Sequence, residues 1–312
     1  MEETGDDDVA IQILYCGICH SDLHTIKNEW KNANYPVVPG HEIAGLITEV
    51  GKNVKKFNVG DKVGVGCMVN TCQSCESCEE GHENYCSKII FTYNSHDRDG
   101  TVTYGGYSDM VVVNERFVIR FPDGMPLDKG APLLCAGITV YNPMKCHGLN
   151  EPGKHIGVVG LGGLGHVAVK FAKAFGMRVT VISTSPEKRE EAMETLGADA
   201  FVVSTDANQM KPHGKMILLG LPEKPLQISA FSLVAGGKTL AGSCMGSIRD
   251  TQEMMDFAAK HGLTADIELI GTEEVNEAME RLAKGEVRYR FVIDVGNTLS
   301  AASLASSPVP AL

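Results

Sequence analysis

The sequence predicts two domains, a β-rich domain followed by a doubly wound α/β domain. A chain of 312 residues is longer than the commonest single domain of about 100–150 residues. Short β-prone runs separated by turn signals fill the first 135 residues, whereas strand and helix patterns alternate from about residue 150 onward.

The β-rich part contains five runs of strand-forming residues. Turn signals such as Asn58-Val59-Gly60-Asp61 and Pro122-Asp123-Gly124 separate them. The predicted strands are residues 9–15, 43–50, 62–66, 106–113 and 117–121. Small residues and turns over 135–141 predict the crossing into the second domain.

The second part alternates strands with helices, which is typical of a parallel sheet covered on both faces. Helix 163–175 has apolar residues at helical spacing and ends before Gly176, and helix 186–196 begins at Pro186. The predicted strands are 155–159, 178–182, 200–203, 215–221, 238–243 and 288–295, and the remaining helices are 251–261 and 273–284. The tail 300–312, rich in Ser, Ala and Pro, is predicted to be frayed.

Composition limits the classes of function. Hydrophobic residues make up 43% and charged residues 21%, which is typical of a folded globular protein. A net charge of −11 without a basic block argues against binding to nucleic acid or to anionic membranes. The sequence shows neither a transmembrane run of about 18 apolar residues nor a secretory signal. We therefore expect a cytoplasmic protein with reduced cysteines.

The spacing Cys72-x2-Cys75-x2-Cys78-x7-Cys86 predicts a structural zinc site. Four thiolates could surround a tetrahedral zinc and leave no position for water. The intervening residues are too polar to fold by burial, so metal binding would supply the order. An iron–sulfur cluster is a weaker alternative, because the spacing before Cys86 is long and Ser87 replaces the usual proline. Four unrelated buried thiols are the other alternative.

The run Gly160-Leu161-Gly162-Gly163-Leu164-Gly165 fits the dinucleotide-binding pattern G-x-G-x-x-G. It follows a predicted strand and opens a predicted helix, which is the context that the pattern requires. Gly160 would make the tight turn, Gly162 would let a pyrophosphate approach, and Gly165 would let helix and strand pack closely. The alternative is a plain glycine-rich turn.

The end of the second strand of this domain predicts which cofactor binds. NAD sites usually place a carboxylate there, whereas this chain has Ser183-Thr184-Ser185 followed by Lys188 and Arg189. Hydroxyls and cations could bind a 2′-phosphate, which favours NADP(H). Alternatively, Lys188 and Arg189 only form the solvated face of the next helix.

Further candidates for metal ligation and proton transfer lie in the β-rich part. Cys19-His20-Ser21-Asp22 is followed by His24 and by Pro39-Gly40-His41-Glu42, and Cys135 comes much later. Spacing alone does not bring them together, since each could equally be a buried thiol or a hydrogen-bonded histidine.

Taken together, these motifs resemble those of the zinc-dependent medium-chain alcohol dehydrogenases, especially the plant cinnamyl alcohol dehydrogenases and mannitol-dehydrogenase-like enzymes. The resemblance runs from about residue 8 to residue 298. The matching segments are residues 17–24, 38–42, 72–86, 131–137, 160–165 and 287–295.

The resemblance implies a GroES-like β-barrel catalytic domain and a Rossmann NADP-binding domain. Residues 1–135 would begin the catalytic domain, residues 136–246 would form the Rossmann domain, and residues 247–312 would return to the catalytic domain. It also implies a homodimer acting on a small-molecule aldehyde or alcohol.

The resemblance further implies a catalytic zinc held by Cys19, His41 and Cys135, with water, Glu42 or the substrate in the fourth position. The zinc would polarise an aldehyde carbonyl while NADPH delivers hydride. Ser21 would pass a proton to the alkoxide, relayed through the cofactor ribose to His24, and Asp22 would orient His41. The implied substrate contact is Phe91, and the implied cofactor contacts are Thr139, Gly160, Leu161, Gly162, Gly163, Leu164, Gly165, Ser183, Thr184, Ser185 and Lys188.

The predicted function is therefore a zinc-dependent, NADP(H)-dependent interconversion of an aldehyde and a primary alcohol, with two zinc ions per chain. Cinnamyl-type or terpenoid aldehydes are the expected substrates. A polyol dehydrogenase and a truncated zinc-binding chain without catalytic activity are the alternatives, and cofactor binding separates the last from the other two.

The chain departs from the family at two places. Family members carry further N-terminal residues, and they carry a further strand and helix at the point where this chain passes from Met210 to Lys211. The absent strand would be the fourth of the sheet, beside the first. Because each buried unpaired backbone group costs about 1–3 kcal/mol, we expect weak NADPH binding and easy unfolding.

Overall fold

A computed structural model describes residues 4–203, 211–222 and 226–299. Its strands are β1 (Asp8–Gly17), β2 (Ile43–Val50), β3 (Lys62–Val65), β4 (Met68–Asn70), β5 (Ile90–Phe91), β6 (Met110–Asn114), β7 (Ile119–Arg120), β8 (His155–Val159), β9 (Arg178–Ser183), β10 (Ala200–Val203), β11 (Lys215–Leu218), β12 (Thr239–Gly242), β13 (Ile267–Ile270) and β14 (Arg290–Asp294).

The helices vary from single turns to thirteen residues. They are α1 (His20–Ile26), α2 (Glu76–Glu79), α3 (Leu127–Gly130), α4 (Ala136–Cys146), α5 (Gly163–Ala174), α6 (Ala230–Val234), α7 (Ile248–Lys260), α8 (Val275–Lys284) and α9 (Val295–Thr298). Short 3-10 helices cover Glu83–Tyr85, Glu115–Phe117, Ala131–Leu134, Pro186–Lys188 and Thr272–Glu274. No helix within the described part of the chain is long and apolar enough to cross a membrane.

The chain divides into two compact units. Unit 1 combines Met1–Cys135 with Ser247–Leu312, and unit 2 is Ala136–Gly246. Each unit is described separately below.

Unit 1 is built on a seven-stranded sheet in the order β13-β14-β1-β2-β3-β7, with β6 also paired to β1. Along β1, Val9, Ile11 and Ile13 are at most 1% exposed while Gln12 is exposed. This alternation buries one face of the strand, and each fully buried aliphatic side chain contributes about 1.5–3 kcal/mol.

The register of β1 decides which loops meet. Cys16 on β1 lies opposite both Ile43 at the start of β2 and Ile293 on β14. Because β1 and β2 are antiparallel, the residues that follow β1 lie beside those that precede β2. The segments around residues 19 and 41 are therefore brought together by the sheet.

Unit 2 contains two separate parallel sheets. One has the order β10-β9-β8 and the other pairs β11 with β12. Among the described residues β8 has β9 as its only partner, although the first strand of a doubly wound sheet is normally central. The sequence predicts this interruption, because it lacks the strand that family members carry in the fourth position of the sheet. The junction residue Met210 lies outside the described residues.

Three expectations about secondary structure were wrong. Strand β6 begins at Met110 rather than residue 106, because the amides of Gly105 and Gly106 bind the carbonyls of Val38 and Gly40 instead of a ladder partner. The two units divide after Cys135, within the crossing expected over 135–141, but residues 136–141 begin helix α4 rather than a turn. Residues 136–144 are all buried, so packing outweighs the weak local helix pattern.

The expected regular helix 186–196 is irregular: its 3-10 turn at Pro186–Lys188 is followed by a π-helical turn at Glu191–Thr195. The predicted tail 300–312 lies outside the described residues.

Candidate catalytic and metal centres

Four side chains of unit 1 form what we call the buried cluster: Cys19, His41, Glu42 and Cys135. One ligand atom from each lies within 4.8 Å of those of the others. Cys19 precedes α1, His41 and Glu42 precede β2, and Cys135 follows the 3-10 helix Ala131–Leu134. The fold thus brings together residues whose spacing in sequence did not show that they meet.

The geometry of the buried cluster fits a tetrahedral zinc. His41 Nε2 lies 3.2 Å from Cys135 Sγ, and Cys19 Sγ lies 4.0 Å from Cys135 Sγ. Two thiolates at about 2.3 Å from a tetrahedral ion would be about 3.8 Å apart. Two cysteines, one histidine and an oxygen donor form the set expected for zinc at a site that keeps an exchangeable position.

The Asp22 carboxylate lies next to the buried cluster and makes four hydrogen bonds. It is fully buried and lies 3.1 Å from His41 Nδ1. It also accepts from the amides of Cys19 (2.8 Å) and Gly40 (3.2 Å) and from the Tyr107 hydroxyl (3.2 Å). This arrangement fixes the orientation of the His41 ring and leaves Nε2 directed at the cysteines.

Electrostatics within the cluster favour a negative sulfur. The hydrogen bond from Cys135 lowers the pKa of Cys19 well below its usual value, with Arg290 contributing, and the same contact raises the pKa of Cys135. Burial alone would lower the pKa of His41, but the charge of Asp22 raises it well above its usual value. The cluster is therefore suited to bind a cation.

Glu42 is bound on one side and open on the other. Its Oε1 accepts a hydrogen bond from the buried guanidinium of Arg290, and its Oε2 is buried without a hydrogen-bond partner in the described structure. A Cβ atom at Gly17 would lie 1.9 Å from Oε2, so only glycine leaves room for this carboxylate. An unpaired oxygen in a cluster of thiols is what a fourth metal ligand would leave when no metal is present.

The two residues expected to transfer protons lie on α1. The Ser21 hydroxyl is 3.6 Å from Cys19 Sγ, so it lies at the buried cluster. His24 is half-buried, its Nδ1 is hydrogen-bonded to Glu29, and its ring lies 4.8 Å from the Trp30 ring. Glu29 thus fixes the position and tautomer of His24 and leaves Nε2 available for exchange with solvent.

The second group, the four-cysteine cluster, consists of Cys72, Cys75, Cys78 and Cys86. Neighbouring Sγ atoms are separated by 3.5–3.9 Å, close to the edge of about 3.8 Å in a tetrahedral zinc–thiolate site. The amide of Lys88 donates to Cys86 Sγ, and a hydrogen bond from the Ser74 amide lowers the pKa of Cys72 to about 6. The geometry fits a closed metal site.

The glycine-rich turn of unit 2 has the conformation that its sequence predicts. Gly160 has a φ of +88°, and a Cβ at Gly165 would lie 2.0 Å from the Gly160 carbonyl oxygen. A Cβ at Gly162, just before α5, would meet no atom within 4 Å. The turn therefore leaves open space above exposed helix amides, which is the space that a pyrophosphate would fill.

The end of β9 lies beside this turn. Ser183 is buried, its Oγ accepts a hydrogen bond from the Ser185 amide at 3.1 Å, and the Thr184 side chain is exposed. Lys188 Nζ donates to the Leu161 carbonyl at 2.8 Å, so its charge lies at the glycine turn. The alternative that Lys188 belongs only to a solvated helix face is therefore wrong, whereas Arg189 is exposed and stacks on Phe201.

Sequence reasoning missed several residues around the buried cluster. Tyr93 stacks on His41 with ring centres 5.7 Å apart. Interaction with Cys135 lowers the pKa of Cys67. Arg290, Glu29 and Tyr107 were also missed. Arg290 could have been noticed, because it lies in segment 287–295, which matches the family. Phe91 is 42% exposed on β5, and Thr139 is buried in α4.

Two family models match the chain. Residues 5–123 match the alcohol dehydrogenase GroES-like domain, and residues 163–211 match the zinc-binding dehydrogenases.

A curated relative and two solved structures are similar over nearly the whole chain. Cinnamyl alcohol dehydrogenase 7 of Oryza sativa subsp. japonica is 69% identical over 333 residues, which covers 95% of this chain and 88% of that protein. A cinnamyl alcohol dehydrogenase from Sorghum bicolor is 55% identical with a TM-score of 0.93, covering 95% of this chain and 92% of its own. CAD from Helicobacter pylori complexed with NADP(H) is 40% identical with a TM-score of 0.89, covering 95% and 93%.

The alignment with the rice protein also bears on the interrupted sheet. Its 333 aligned positions outnumber the 312 residues of this chain. The rice protein therefore carries residues inside the aligned span that this chain lacks.

Proposed function

This chain belongs to the zinc-dependent medium-chain alcohol dehydrogenases, and from that membership we propose that it reduces cinnamyl-type aldehydes to primary alcohols with NADPH. The relatives described above are named for cinnamyl alcohol, and the two-domain fold of the family is present. The proposal concerns the substrate, the cofactor and the roles of individual residues.

The convergence of Cys19, His41, Glu42 and Cys135 is the observation that carries the proposal. We assign Cys19, His41 and Cys135 as ligands of a catalytic zinc, with Glu42 as an exchangeable oxygen ligand. Cys72, Cys75, Cys78 and Cys86 would hold a second, structural zinc. When bound, the catalytic zinc supplies Lewis acidity, and reduced NADP supplies the hydride.

The chain's own residues position the ligands and move the proton. Asp22 accepts the Nδ1–H of His41 and keeps Nε2 as the metal-binding atom. The Ser21 hydroxyl, next to Cys19, donates a proton to the oxygen of the reduced product. His24, held by Glu29, exchanges protons with solvent through Nε2.

Several features of unit 2 support NADP(H) as the cofactor. The end of β9 carries hydroxyls and no carboxylate, and Lys188 adds a positive charge beside the glycine turn. Gly162 leaves the space for the pyrophosphate. A relative of known structure was solved with NADP(H) bound. We extend the proposal to a cytoplasmic homodimer, which light scattering and fractionation test.

The test combines metal analysis with activity. The purified chain is expected to hold two zinc ions and to reduce cinnamaldehyde at saturating NADPH, with the low NADPH affinity expected from the interrupted sheet. His41→Ala should abolish reduction and remove one zinc. The matched control is His261→Ala, an exposed histidine outside both clusters, which should keep both metal and activity. Two zincs remaining in His41→Ala would contradict the ligand assignment, and turnover of mannitol but not cinnamaldehyde would favour the polyol alternative.

The interrupted sheet of unit 2 favours a second candidate function, a zinc-binding chain that no longer reduces aldehydes. Within residues 4–203, 211–222 and 226–299, β8 pairs only with β9, and it directly precedes the glycine turn. An unstable edge there would weaken the cofactor site. Calorimetric titration with NADPH separates the two, because the second candidate predicts two zincs without cofactor binding.

A further inference from the structure

Glu83 joins the loop of the four-cysteine cluster to the start of helix α7. It lies on the 3-10 helix Glu83–Tyr85, and its carbonyl accepts a hydrogen bond from the Cys86 amide at 3.0 Å. Glutamates are seldom buried, yet Glu83 is only 8% exposed. Its Oε1 accepts the amide of Ile248, the first residue of α7, at 3.0 Å. One side chain therefore connects the cluster to an element 165 residues later in the chain.

The Glu83 carboxylate satisfies an amide that the helix itself leaves unpaired. The first four N–H groups of a helix have no partner within it. Ser247 Oγ accepts the Asp250 amide at 3.1 Å, and Glu83 accepts the amide of Ile248. A negative charge at this end also interacts favourably with the helix dipole. Since Ser247 is fully buried and Ile248 packs against the core, loss of the carboxylate would destabilise this first turn.

The position of Glu83 depends on the cysteines on either side of it. It lies between Cys78 and Cys86, and the Gly81 amide bonds to the Cys78 carbonyl at 3.2 Å. The other residues of the loop are mostly polar and exposed, so burial does not order them. Metal bound to the four thiolates would supply that order and would hold Glu83 at the Ile248 amide.

Helix α7 in turn supports the segment that presents Cys135. The helix has one buried face and lies against both β7 and the 3-10 helix Ala131–Leu134. Gln252 fixes the contact with β7, because its Oε1 accepts the Arg120 amide at 2.9 Å and its Nε2 donates to the Arg120 carbonyl at 3.0 Å. Cys135 directly follows the 3-10 helix. A continuous set of contacts within unit 1 thus connects the two clusters.

We propose that Glu83 is a positioning residue that couples the two metal centres. Metal at the four-cysteine cluster holds Glu83, Glu83 holds the first turn of α7, and α7 holds Cys135 in place for metal binding at the buried cluster. The inference rests on the zinc sites proposed above and adds that their affinities are linked. Such coupling is reciprocal and typically changes affinity about 5–150-fold. Emptying either cluster should therefore weaken zinc binding at the other.

The test is a double-mutant cycle on the full zinc-loaded chain. The measured quantity is the zinc affinity of the buried cluster in chelator competition, identified as the step that His41→Ala removes. Glu83→Ala and Cys75→Ser should each weaken this affinity about tenfold. The double variant should be no weaker than either single variant, because both changes break the same connection. Glu83→Gln keeps an oxygen acceptor and should recover part of the affinity.

Hydrogen exchange gives a second measurement that does not depend on metal affinity. In Glu83→Ala the Ile248 amide should exchange about tenfold faster, whereas the Asp250 amide, bonded to Ser247, should change much less. The matched control is Glu79→Ala, an exposed glutamate of the same loop, which should alter neither the exchange nor the zinc affinity.

Two results would overturn the coupling while leaving the zinc sites intact. One is an unchanged buried-cluster affinity in Glu83→Ala, which decides the matter even if Cys75→Ser folds poorly. The other is a double variant in which the two losses add, because Glu83 would then act only on local stability. Fewer than two zinc ions in the unaltered chain would instead contradict the zinc sites themselves, and the coupling with them.

Discussion

Replacing Asp22 by asparagine should destabilise unit 1 and weaken zinc binding at the buried cluster. Each carboxylate oxygen accepts two hydrogen bonds: Oδ1 from Gly40 and His41, and Oδ2 from Cys19 and Tyr107. The asparagine NH₂ cannot accept, so whichever way the amide is placed, one backbone N–H faces another donor in a fully buried site.

The expected cost follows from these contacts. An unsatisfied buried donor costs about 1–3 kcal/mol, and the loss of charge weakens the remaining hydrogen bonds by about 1 kcal/mol or more. Together they reduce the free energy of unfolding by about 3 kcal/mol, which lowers the urea midpoint by about 1–2 M. Misorientation of His41 should also weaken zinc affinity by about 10–100-fold.

The assay is urea unfolding followed by circular dichroism, together with zinc affinity from chelator competition. Tyr107→Phe is the matched control, because it removes only one donor and leaves the carboxylate, so it should cost about 1 kcal/mol. If Asp22→Asn unfolds like Tyr107→Phe and keeps its zinc affinity, Asp22 does not organise the cluster in the way described.

Four further outcomes are expected. Cys75→Ser should reduce the zinc content from two to one and lower the folding yield, and an unchanged metal analysis would refute the four-cysteine site. Ser183→Asp should weaken NADPH at least about tenfold in titrations and NADH much less, whereas equal losses would place Ser183 away from the ribose. Gly162→Ala should fold normally but lose NADPH binding. Gly165→Ala should lower the melting temperature, because its Cβ would meet a carbonyl oxygen at 2.0 Å. A Gly162→Ala variant that unfolds easily beside a Gly165→Ala variant that only loses NADPH would contradict the proposed phosphate site. Inserting the strand and helix that family members carry and this chain lacks should raise the melting temperature and the NADPH affinity together. If the present chain already unfolds cooperatively and is stabilised by NADPH, its expected low stability and weak cofactor binding are contradicted.

Much of the fold was predictable because its signals are local. Periodicity predicted β2, β8 and β10, and the glycine pattern predicted the turn that precedes α5. The order of strands predicted that β8 lacks a neighbour, and among the described residues β8 pairs only with β9. The strand expected over 106–113 begins only at Met110, because the amides of Gly105 and Gly106 bond to a distant loop, which no local pattern reveals.

The candidate site also has a part that local sequence signals predict and a part that they do not. The four-cysteine cluster could be predicted from spacing, since all four ligands lie in one short loop. The meeting of Cys19, His41 and Cys135 depends on the register between β1 and β2, so only resemblance to a family suggested it. No spacing pattern predicts the roles of Arg290 and Glu29. Arg290 bonds to Glu42, which is distant in sequence, and Glu29 bonds to His24 from the segment that follows α1.

Strands β1 and β14 pair in unit 1 but are synthesised at different times, because unit 2 lies between them in the sequence. Every cysteine and histidine of both clusters leaves the ribosome before unit 2 does, whereas β14 and Arg290 follow it. At about 5–20 residues per second, translation of unit 2 takes on the order of ten seconds. During that interval residues 15–17 of β1 lack their β14 partners and Glu42 lacks its cationic partner, while the thiols and the imidazole are already available to capture metal. Nascent chains therefore meet their zinc supply before the first strand of unit 1 has acquired its last neighbour.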